Sequence, residues 1–304
     1  MRPETAAIRV GILIPCYNNA GTIAETLESI QQQDALDELT GVYLADDGCT
    51  DNTVAVARNA WKTLPQLTIQ ANNLNRGQWP NVNRALHKLS KELDWLLILH
   101  ADDRAKSHWL RLTMERIKNC APHVASVCSS WDGWLPDGSI ISGEDDPNRP
   151  VEFIRGNRAA IRHTLLAGCW WHISGCAIRL EAFRDVGDFI PGLPQQGDWE
   201  WLLRGLEGGW DAEYIPRTLI LYRQHIASVS SASFRENRDI GDSLQIVARY
   251  KDALSPGEWL RFHVRLLVFS LKRLGKSLLT ADFIRSKRCL RTAVTITISA
   301  VQTR

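Results

Sequence analysis

The chain has 304 residues, of which 44% are hydrophobic and 23% are charged, and its formal net charge is +2. This composition excludes a disordered chain, a collagen-like repeat and a small disulfide scaffold, and the length favours one large domain, or one domain with an appendage, over two equal halves. Nucleic-acid binding is not expected, because affinity gained by counterion release needs a dense basic face.

Strand and helix signals alternate along the first half of the chain. Short apolar runs predict strands, and apolar residues at helical spacing predict the helices between them. The predicted strands are residues 10–15, 42–45, 67–69, 95–99 and 124–128, and the predicted helices are residues 21–33, 51–60, 82–89 and 107–118. This alternation predicts a mainly parallel α/β sheet that is covered by helices.

The second half of the chain has a different pattern. Residues 130–150 combine Trp, Pro and Gly with acidic residues, which predicts a hairpin followed by an exposed loop. Two further strands are predicted at residues 173–178 and 219–222, and a helix is predicted at 196–207. From Ser233 onward the pattern is helical and basic, and we expect an appendage there.

Seven cysteines are scattered along the chain without CxxC spacing. The first nine residues hold Arg2, Glu4 and Arg9 and no apolar core, unlike a secretory signal. We therefore expect free thiols and a cytoplasmic protein. No run of about 18 apolar residues is present, so no membrane-spanning helix is predicted.

Three polar clusters directly follow predicted strands. They are Cys16-Tyr17-Asn18, Asp46-Asp47-Gly48 and His100-Ala101-Asp102-Asp103. Because ligands of parallel sheets bind outside the carboxyl ends of the strands, the three clusters are expected at one sheet edge.

The acidic clusters have chemical and structural interpretations. The Asp46-Asp47 carboxylates can accept from the N3–H of uracil, the N1–H of guanine or ribose hydroxyls. The Asp102-Asp103 pair is costly to bury without donors or a cation, and a divalent cation that bridges a diphosphate satisfies it. Turn formation and helix capping are the alternatives for both pairs. Asp198, at the start of a predicted helix, is either a helix cap or a base for an acceptor hydroxyl.

In combination, these motifs resemble the inverting nucleotide-sugar glycosyltransferases of family 2. The matching residues, in chain order, are Ile14-Pro15-Cys16-Tyr17-Asn18, Asp46-Asp47-Gly48-Cys49-Thr50-Asp51, Asn75-Arg76-Gly77 with Asn83, His100-Ala101-Asp102-Asp103, Gly175 with Arg179 and Phe183, Gly187-Asp188-Phe189, Gly197-Asp198-Trp199-Glu200 with Arg204, and Tyr222-Arg223 with His225 and Ser228. The resemblance runs over about residues 10–230 and does not cover the C-terminal part.

The resemblance implies the GT-A fold, a Rossmann-like and mainly parallel sheet flanked by helices. Residues 1–232 would form the catalytic domain, with a nucleotide-sugar half at about 8–105 and an acceptor half at about 106–232. Residues 233–304 would form a helical, basic C-terminal extension.

The resemblance also implies roles for individual residues. Asp198 would be the general base for in-line, inverting attack, and Asp102, His100 and His225 would hold Mn²⁺ or Mg²⁺ on the diphosphate, where the ion aids departure of the leaving group. The nucleotide sugar would be bound by Pro15, Tyr17, Asn18, Asp46, Asp47, Arg76, Ala101 and Asp102.

The expected acceptor side consists of Trp171, Trp199, Glu200 and Arg204. The tryptophans offer apolar faces for a sugar, with core packing as the alternative that is expected for most of the twelve. Arg204 lies one helical turn beyond Glu200, where an exposed ion pair is expected. For His172 a core position is favoured over contact with phosphate or metal.

Two residues depart from the family pattern. His100 stands where the family has Asp, and a neutral imidazole can bind Mn²⁺ or donate to ribose or phosphate but gives up a charge. Gly197 stands where the family has Glu, and we expect this change to relieve repulsion on Asp198 and to open space beside it.

Residues 259–304 have two interpretations, since basic and apolar residues are interleaved there. The segment either lies on an anionic membrane surface and brings the enzyme to a lipid-linked acceptor, or packs as a helical hairpin on the catalytic domain or at a homo-oligomer interface.

We therefore expect a metal-dependent, inverting hexosyltransferase, either cytoplasmic or peripheral on the inner face of the membrane. It would use a nucleotide-diphosphate sugar, with a UDP-sugar favoured, and a glycan or lipid-linked acceptor in cell-surface polysaccharide or glycoconjugate assembly. Transfer to a polyprenyl phosphate is the alternative within the same fold. A catalytically silent nucleotide-sugar-binding module is the alternative from another class.

Overall fold

The computed structural model describes residues 7–225 and 228–302. The prediction about a secretory signal falls mainly on residues 1–6, which lie outside the described residues. The strands are β1 (Val10–Cys16), β2 (Gly41–Asp46), β3 (Leu67–Ala71), β4 (Trp95–Ile98), β5 (Arg104–Ala105), β6 (Val124–Trp134), β7 (Ile140–Ile141), β8 (Glu152–Ile154), β9 (Ala177–Arg179) and β10 (Asp211–Arg223). The helices are α1 (Ile23–Gln31), α2 (Thr53–Ala60), α3 (Gln78–Leu89), α4 (Trp109–Asn119), α5 (Arg158–Ala167), α6 (Leu180–Val186), α7 (Gly197–Glu207), α8 (Val229–Glu236), α9 (Arg238–Arg249), α10 (Pro256–Leu279) and α11 (Phe283–Gln302).

The strands form one sheet in the order β3-β2-β1-β4-β9-β6-β10-β5, with β7 beside β6 and β8 beside β10. The first four strands in this order are parallel, as predicted. Beyond β4 the sheet is mixed, because β9 runs antiparallel to both β4 and β6 while β6 and β10 are parallel. The carboxyl ends of β1, β2 and β4 therefore meet at one edge.

Alternation along the buried strands divides the core between the two faces of the sheet. In β1, Ile12 and Ile14 pack with the apolar residues of α1, α2 and α4, whereas Leu13 packs with those of α3, α6 and α7. Strands buried on both faces are continuous apolar runs, which explains why the sequence predicts these strands well.

Two predicted strands have different bounds in the structure. The strand predicted at 173–178 is formed only at β9, because the chain turns at Gly175 (φ +96°), where a Cβ would lie 2.3 Å from the side chain of Ile220. The strand predicted at 219–222 begins at Asp211 in the structure. Its first part was not predicted, because polar residues interrupt the apolar pattern there. One of them, the buried Glu213, is paired with Arg116 (Nε–Oε2 2.8 Å).

The C-terminal helices share the core of the sheet's second face. Ile240 and Val247 of α9, Phe262 of α10 and Ile296 of α11 belong to the same buried cluster as Leu13. The helical appendage is thus packed against the sheet domain, and its boundary near residue 233 stays a prediction. Within the described ranges, every helix is too short or too polar to cross a membrane.

Candidate active site

A pocket of about 360 Å³ lies at the edge where β1, β2 and β4 end. Many of the predicted site residues line it together, although they come from distant parts of the sequence. They are Pro15, Tyr17, Asn18, Asp47, His100, Ala101, Asp102, Asp198 and His225. Asp46, Arg76, Trp171, Trp199, Glu200 and Arg204 are not among the residues that line the pocket.

The turn after β2 uses its two carboxylates differently. Asp46 accepts the Cys49 N–H (2.8 Å) and so closes the turn, which agrees with the structural interpretation. Asp47 is buried but lines the pocket, and it accepts the N–H groups of Arg76 (3.0 Å) and Gly77 (2.8 Å). Arg76 therefore contributes its main chain, while its side chain is exposed outside the pocket.

The turn after β1 exposes an aromatic ring at the pocket mouth. Tyr17 is 44% exposed, although it directly follows the buried Cys16. Asn18 has φ +54°, and its side-chain oxygen accepts the Thr50 N–H at 2.8 Å, which ties the turn after β1 to the turn after β2. A base can stack on such a ring.

The turn after β4 gathers three candidate metal ligands of two types, one imidazole and two carboxylates. One ligand atom from each of His100, Asp102 and Asp103 lies within 4.8 Å of the others. Asp102 also contacts His225 (Oδ2–Nε2 2.8 Å), so His225 contacts the carboxylate from outside this group of three. A cation at the Asp102-Asp103 pair was predicted from the sequence, but the predicted ligands were Asp102, His100 and His225, without Asp103.

The donor set of this group fits a divalent cation. The Nε2 atom of His100 is buried and has no hydrogen-bond partner among the described residues, although it is on the wall of the same pocket as Asp102. Burial and the neighbouring Asp102 charge raise the pKa of Asp103 well above its usual range, although Ser174 Oγ and the Arg223 N–H donate to this carboxylate. A bound cation would give His100 Nε2 a partner and would compensate the buried charge of Asp103. Imidazole and carboxylate ligands suit Mn²⁺.

Asp198 lies in the first turn of α7 and is 8% exposed. Burial raises its pKa to about 7, against the effect of main-chain N–H groups of Trp199 and Ile173 that donate to the carboxylate. An Asp with this pKa can accept a proton near neutral pH, as a general base must.

The prediction of open space beside Asp198 is wrong, because Trp79 fills that space. A Cβ at Gly197 would lie 2.7 Å from Nε1 of Trp79. The indole is fixed there, because Nε1 donates to the Leu193 carbonyl (2.8 Å) and the ring stacks on Phe189 at 5.0 Å. Trp79 itself lines the pocket, which the sequence analysis missed.

His172 lines the pocket and is not the core histidine that we expected. Its ring lies 4.8 Å from the ring of Tyr222 and 5.2 Å from that of Trp131. Burial and the nearby His100 lower the pKa of His172 to about 4, so it is neutral at physiological pH.

The structure contradicts the acceptor-side predictions for four residues. Trp171 is fully buried and donates from Nε1 to Ser126 Oγ (2.8 Å), and Trp199 is also in the core. Glu200 is 2% exposed and pairs with Arg204 (2.8 Å) and Arg249 (3.0 Å), so the predicted exposed ion pair is buried. These side chains hold α7 in place and do not face the pocket.

The family model for glycosyl transferase family 2 matches residues 11–186, which include the ends of β1, β2 and β4. The chain belongs to glycosyltransferase family 2. It therefore carries a glycosyltransferase domain, and the predicted fold class is confirmed.

Similar proteins include the GalNAc(5)-diNAcBac-PP-undecaprenol beta-1,3-glucosyltransferase of Campylobacter jejuni, which is 26% identical over 40% of this chain and 38% of that protein. Across the curated relatives, the matches span 33% to 64% of the relatives' lengths. The fold is similar to that of S. aureus TarS 1-349 in complex with UDP-GlcNAc (15% identity, TM-score 0.60, 98% of this chain, 93% of the other). It is also similar to the mannosyltransferase PcManGT of Pyrobaculum calidifontis in complex with GDP-Man and Mn²⁺ (17% identity, TM-score 0.60, 100% and 91%).

Proposed function

We propose that this family 2 member transfers a sugar from a nucleoside diphosphate to an acceptor hydroxyl with inversion of configuration. The observation that carries the proposal is Asp198, a buried carboxylate whose pKa is about 7 and which lines the same pocket as Tyr17, Asp47 and Asp102. A base and a nucleotide-binding edge in one cavity suit a single in-line displacement.

In the proposed complex, Tyr17 stacks on the base and Asp47 accepts its N–H. Pro15, Asn18 and Ala101 complete the wall around the nucleoside, and Asp102 faces the diphosphate. A UDP-sugar is the proposed donor, in keeping with the UDP-GlcNAc bound to TarS, although guanine also offers an N–H to Asp47. The GDP-Man in PcManGT makes GDP the first competitor to test.

His100, Asp102 and Asp103 would hold an Mn²⁺ or Mg²⁺ ion in this proposal, with His225 orienting Asp102. When bound, such an ion stabilises the charge that develops on the leaving diphosphate. The residues of the chain then have separate tasks. Asp198 removes the proton of the acceptor hydroxyl, and the indole of Trp79 limits the space behind that carboxylate.

The acceptor in this proposal is a glycan or a lipid-linked saccharide in cell-surface glycan assembly, because the Campylobacter relative is named for an undecaprenol-linked substrate. Cytoplasmic localisation is part of the proposal and is supported by the seven free cysteines. Transfer to a polyprenyl phosphate is less favoured by the geometry, because an anionic acceptor needs little help from a base such as Asp198.

The first test is the shift in melting temperature on adding UDP, GDP, dTDP or CDP, with and without Mn²⁺. We expect a saturable, Mn²⁺-dependent shift with UDP that is larger than with the other three. A larger shift with GDP would reassign the donor. If none of the four binds, the transferase proposal fails together with the silent-module alternative.

The second test is turnover by the Asp198→Asn variant. Loss of a general base lowers kcat by about 10²–10⁴-fold, while the nucleotide-dependent melting shift should stay unchanged.

In the parent protein kcat/KM should rise with pH through about 7, because Asp198 must be deprotonated to act. Asp252→Asn, at an exposed position, is the matched control. Full activity of Asp198→Asn would refute the base assignment, and donor binding without turnover by the parent protein would favour the silent module.

A further inference from the structure

The C-terminal hairpin of α10 and α11 has one side against the chain and one side in solvent. The helices join each other through Ser270 Oγ and the Cys289 carbonyl (2.9 Å) and through the hydroxyls of Ser277 and Ser286 (2.8 Å). Contacts with the rest of the chain come from Phe262, Leu266 and Arg273 of α10 and from Arg288, Thr292 and Ile296 of α11.

The opposite side of each helix carries an apolar stripe. On α10, Leu260, Val264, Val268, Leu271 and Leu278 are 43% to 56% exposed, and on α11, Phe283, Leu290, Val294, Ile298 and Val301 are 47% to 76% exposed. Their spacings of three, four and seven residues keep each set on one side of its helix, turned away from the residues that contact the chain. Both helices contact Asn237, which joins α8 and α9, so the two stripes share one outer surface. We call these ten residues the outer face.

The hairpin is strongly cationic. Residues 256–302 hold nine Lys and Arg against Glu258 and Asp282, whereas the rest of the chain holds 27 Lys and Arg against 34 − 2 = 32 Asp and Glu. Glu258 is already paired with Arg162, and Asp282 accepts the Arg285 N–H. Five exposed cations border or interrupt the stripes: Arg261, Lys272, Lys276, Lys287 and Arg291.

We propose that the outer face binds the surface of an anionic lipid bilayer. Apolar residues on one side of a helix, bordered by Lys and Arg, are the pattern of helices that lie in the interface between water and lipid. Juxtamembrane cations are attracted by anionic headgroups, which complements the charge excess of the hairpin. A second copy of this chain fits poorly, because a twofold interface sets like charges against like charges.

The test measures co-sedimentation of the full chain with vesicles. We expect binding to vesicles of phosphatidylcholine and phosphatidylglycerol at 7:3, little binding to pure phosphatidylcholine, and weaker binding in 1 M salt, where the Debye length falls to about 3 Å. The triple variant Lys272→Gln/Lys276→Gln/Lys287→Gln should lose about fivefold in partition for each charge removed. The double variant Leu271→Asp/Val294→Asp should lose at least about tenfold.

Matched controls change the same residue types elsewhere on the surface. Lys62→Gln/Lys88→Gln/Lys91→Gln removes three exposed charges, and Leu64→Asp/Leu74→Asp changes two leucines that are each 71% exposed. Both controls should bind like the parent protein.

Failure of the parent to bind the anionic vesicles, or equal losses in the controls, overturns the proposal. Light scattering that finds a dimer without lipid, converted to monomer by Leu271→Asp/Val294→Asp, also overturns it and assigns the outer face to a second copy. The UDP melting shift is independent of these results, so the two proposals fail separately.

Discussion

The first turn of α7 buries two carboxylates in opposite surroundings. Asp198 receives main-chain N–H groups and lines the pocket, and burial raises its pKa to about 7. Glu200, two residues later, lies between the guanidinium groups of Arg204 and Arg249. A buried acid with cations is a structural brace, whereas a buried acid without them holds its proton to neutral pH. One turn of a helix thus carries both a residue suited to accept a proton and a residue that supports the fold.

The largest expected effect is on stability, from Glu200→Ala. Removing this carboxylate leaves Arg204 without its acid partner in a mostly buried position, and breaking such a pair costs about 3–5 kcal/mol of unfolding free energy. Urea unfolding followed by tryptophan fluorescence measures the loss. Glu207→Ala removes an exposed partner of Arg249 and should cost less than about 0.5 kcal/mol. Similar losses in the two variants would contradict the brace.

Asp198→Asn should have the opposite effect. The folded pKa of about 7 is above the unfolded value of 3.8, so ionisation favours the unfolded chain as the pH rises between these values. The loss of stability that the ionised Asp198 causes in the parent protein is absent below pH 4 and complete above pH 7, where it amounts to at most about 4 kcal/mol. Calorimetry should therefore find Asp198→Asn more stable than the parent at pH 8 and equal to it near pH 4. If the difference in stability between Asp198→Asn and the parent were the same at pH 4 and pH 8, the raised pKa of Asp198 would be refuted.

Gly197→Ala tests the space around the same carboxylate. The new methyl group would meet Trp79 Nε1 at 2.7 Å, and overpacking of this kind costs about 1–3 kcal/mol. Trp79→Leu is itself destabilising, because it removes a buried ring, but Gly197→Ala should cost less in the Trp79→Leu background than in the parent, because the smaller side chain makes room. Gly205→Ala in the same helix is the control, since its nearest side-chain atom is at 3.7 Å. Thermal unfolding of Gly197→Ala, Trp79→Leu, the double variant and Gly205→Ala measures these differences, and an equal cost of Gly197→Ala in both backgrounds would refute the contact with Trp79.

The half of the site that follows β1, β2 and β4 could be predicted because local sequence determines it. Apolar runs mark the buried parallel strands, and the polar residues after them must lie at the carboxyl edge. Pro15, Tyr17, Asp47, His100 and Asp102 are therefore brought together as expected. Asp46 and Arg76 lie at the same edge but do not line the pocket, because the sequence does not indicate which group of a turn, side chain or main chain, faces the pocket.

The acceptor half depends on partners that are far away in the sequence. Glu200 is buried because of Arg249, which is 49 residues away, and Trp171 is buried with Ser126, which is 45 residues away. The environment of Gly197 is determined by Trp79. No local pattern distinguishes a tryptophan that stacks on a sugar from one that fills a core, since both offer the same apolar face.

Trp171→Phe has the smallest expected effect and tests this last distinction. The variant keeps an aromatic ring beside Trp201 but loses the hydrogen bond to Ser126 Oγ and some packing volume, which together cost about 1–2 kcal/mol of unfolding free energy. The KM for acceptor should stay unchanged, because the side chain is fully buried away from the pocket. Ser126→Ala removes the same hydrogen bond from its other end, together with the one that Ser126 Oγ donates to the Ala177 carbonyl, and should lose at least as much stability. If the acceptor KM rose in Trp171→Phe but not in Ser126→Ala, Trp171 would belong to the acceptor side after all. Because Trp171 is buried here, α7 and its neighbours would then have to rearrange when the acceptor binds.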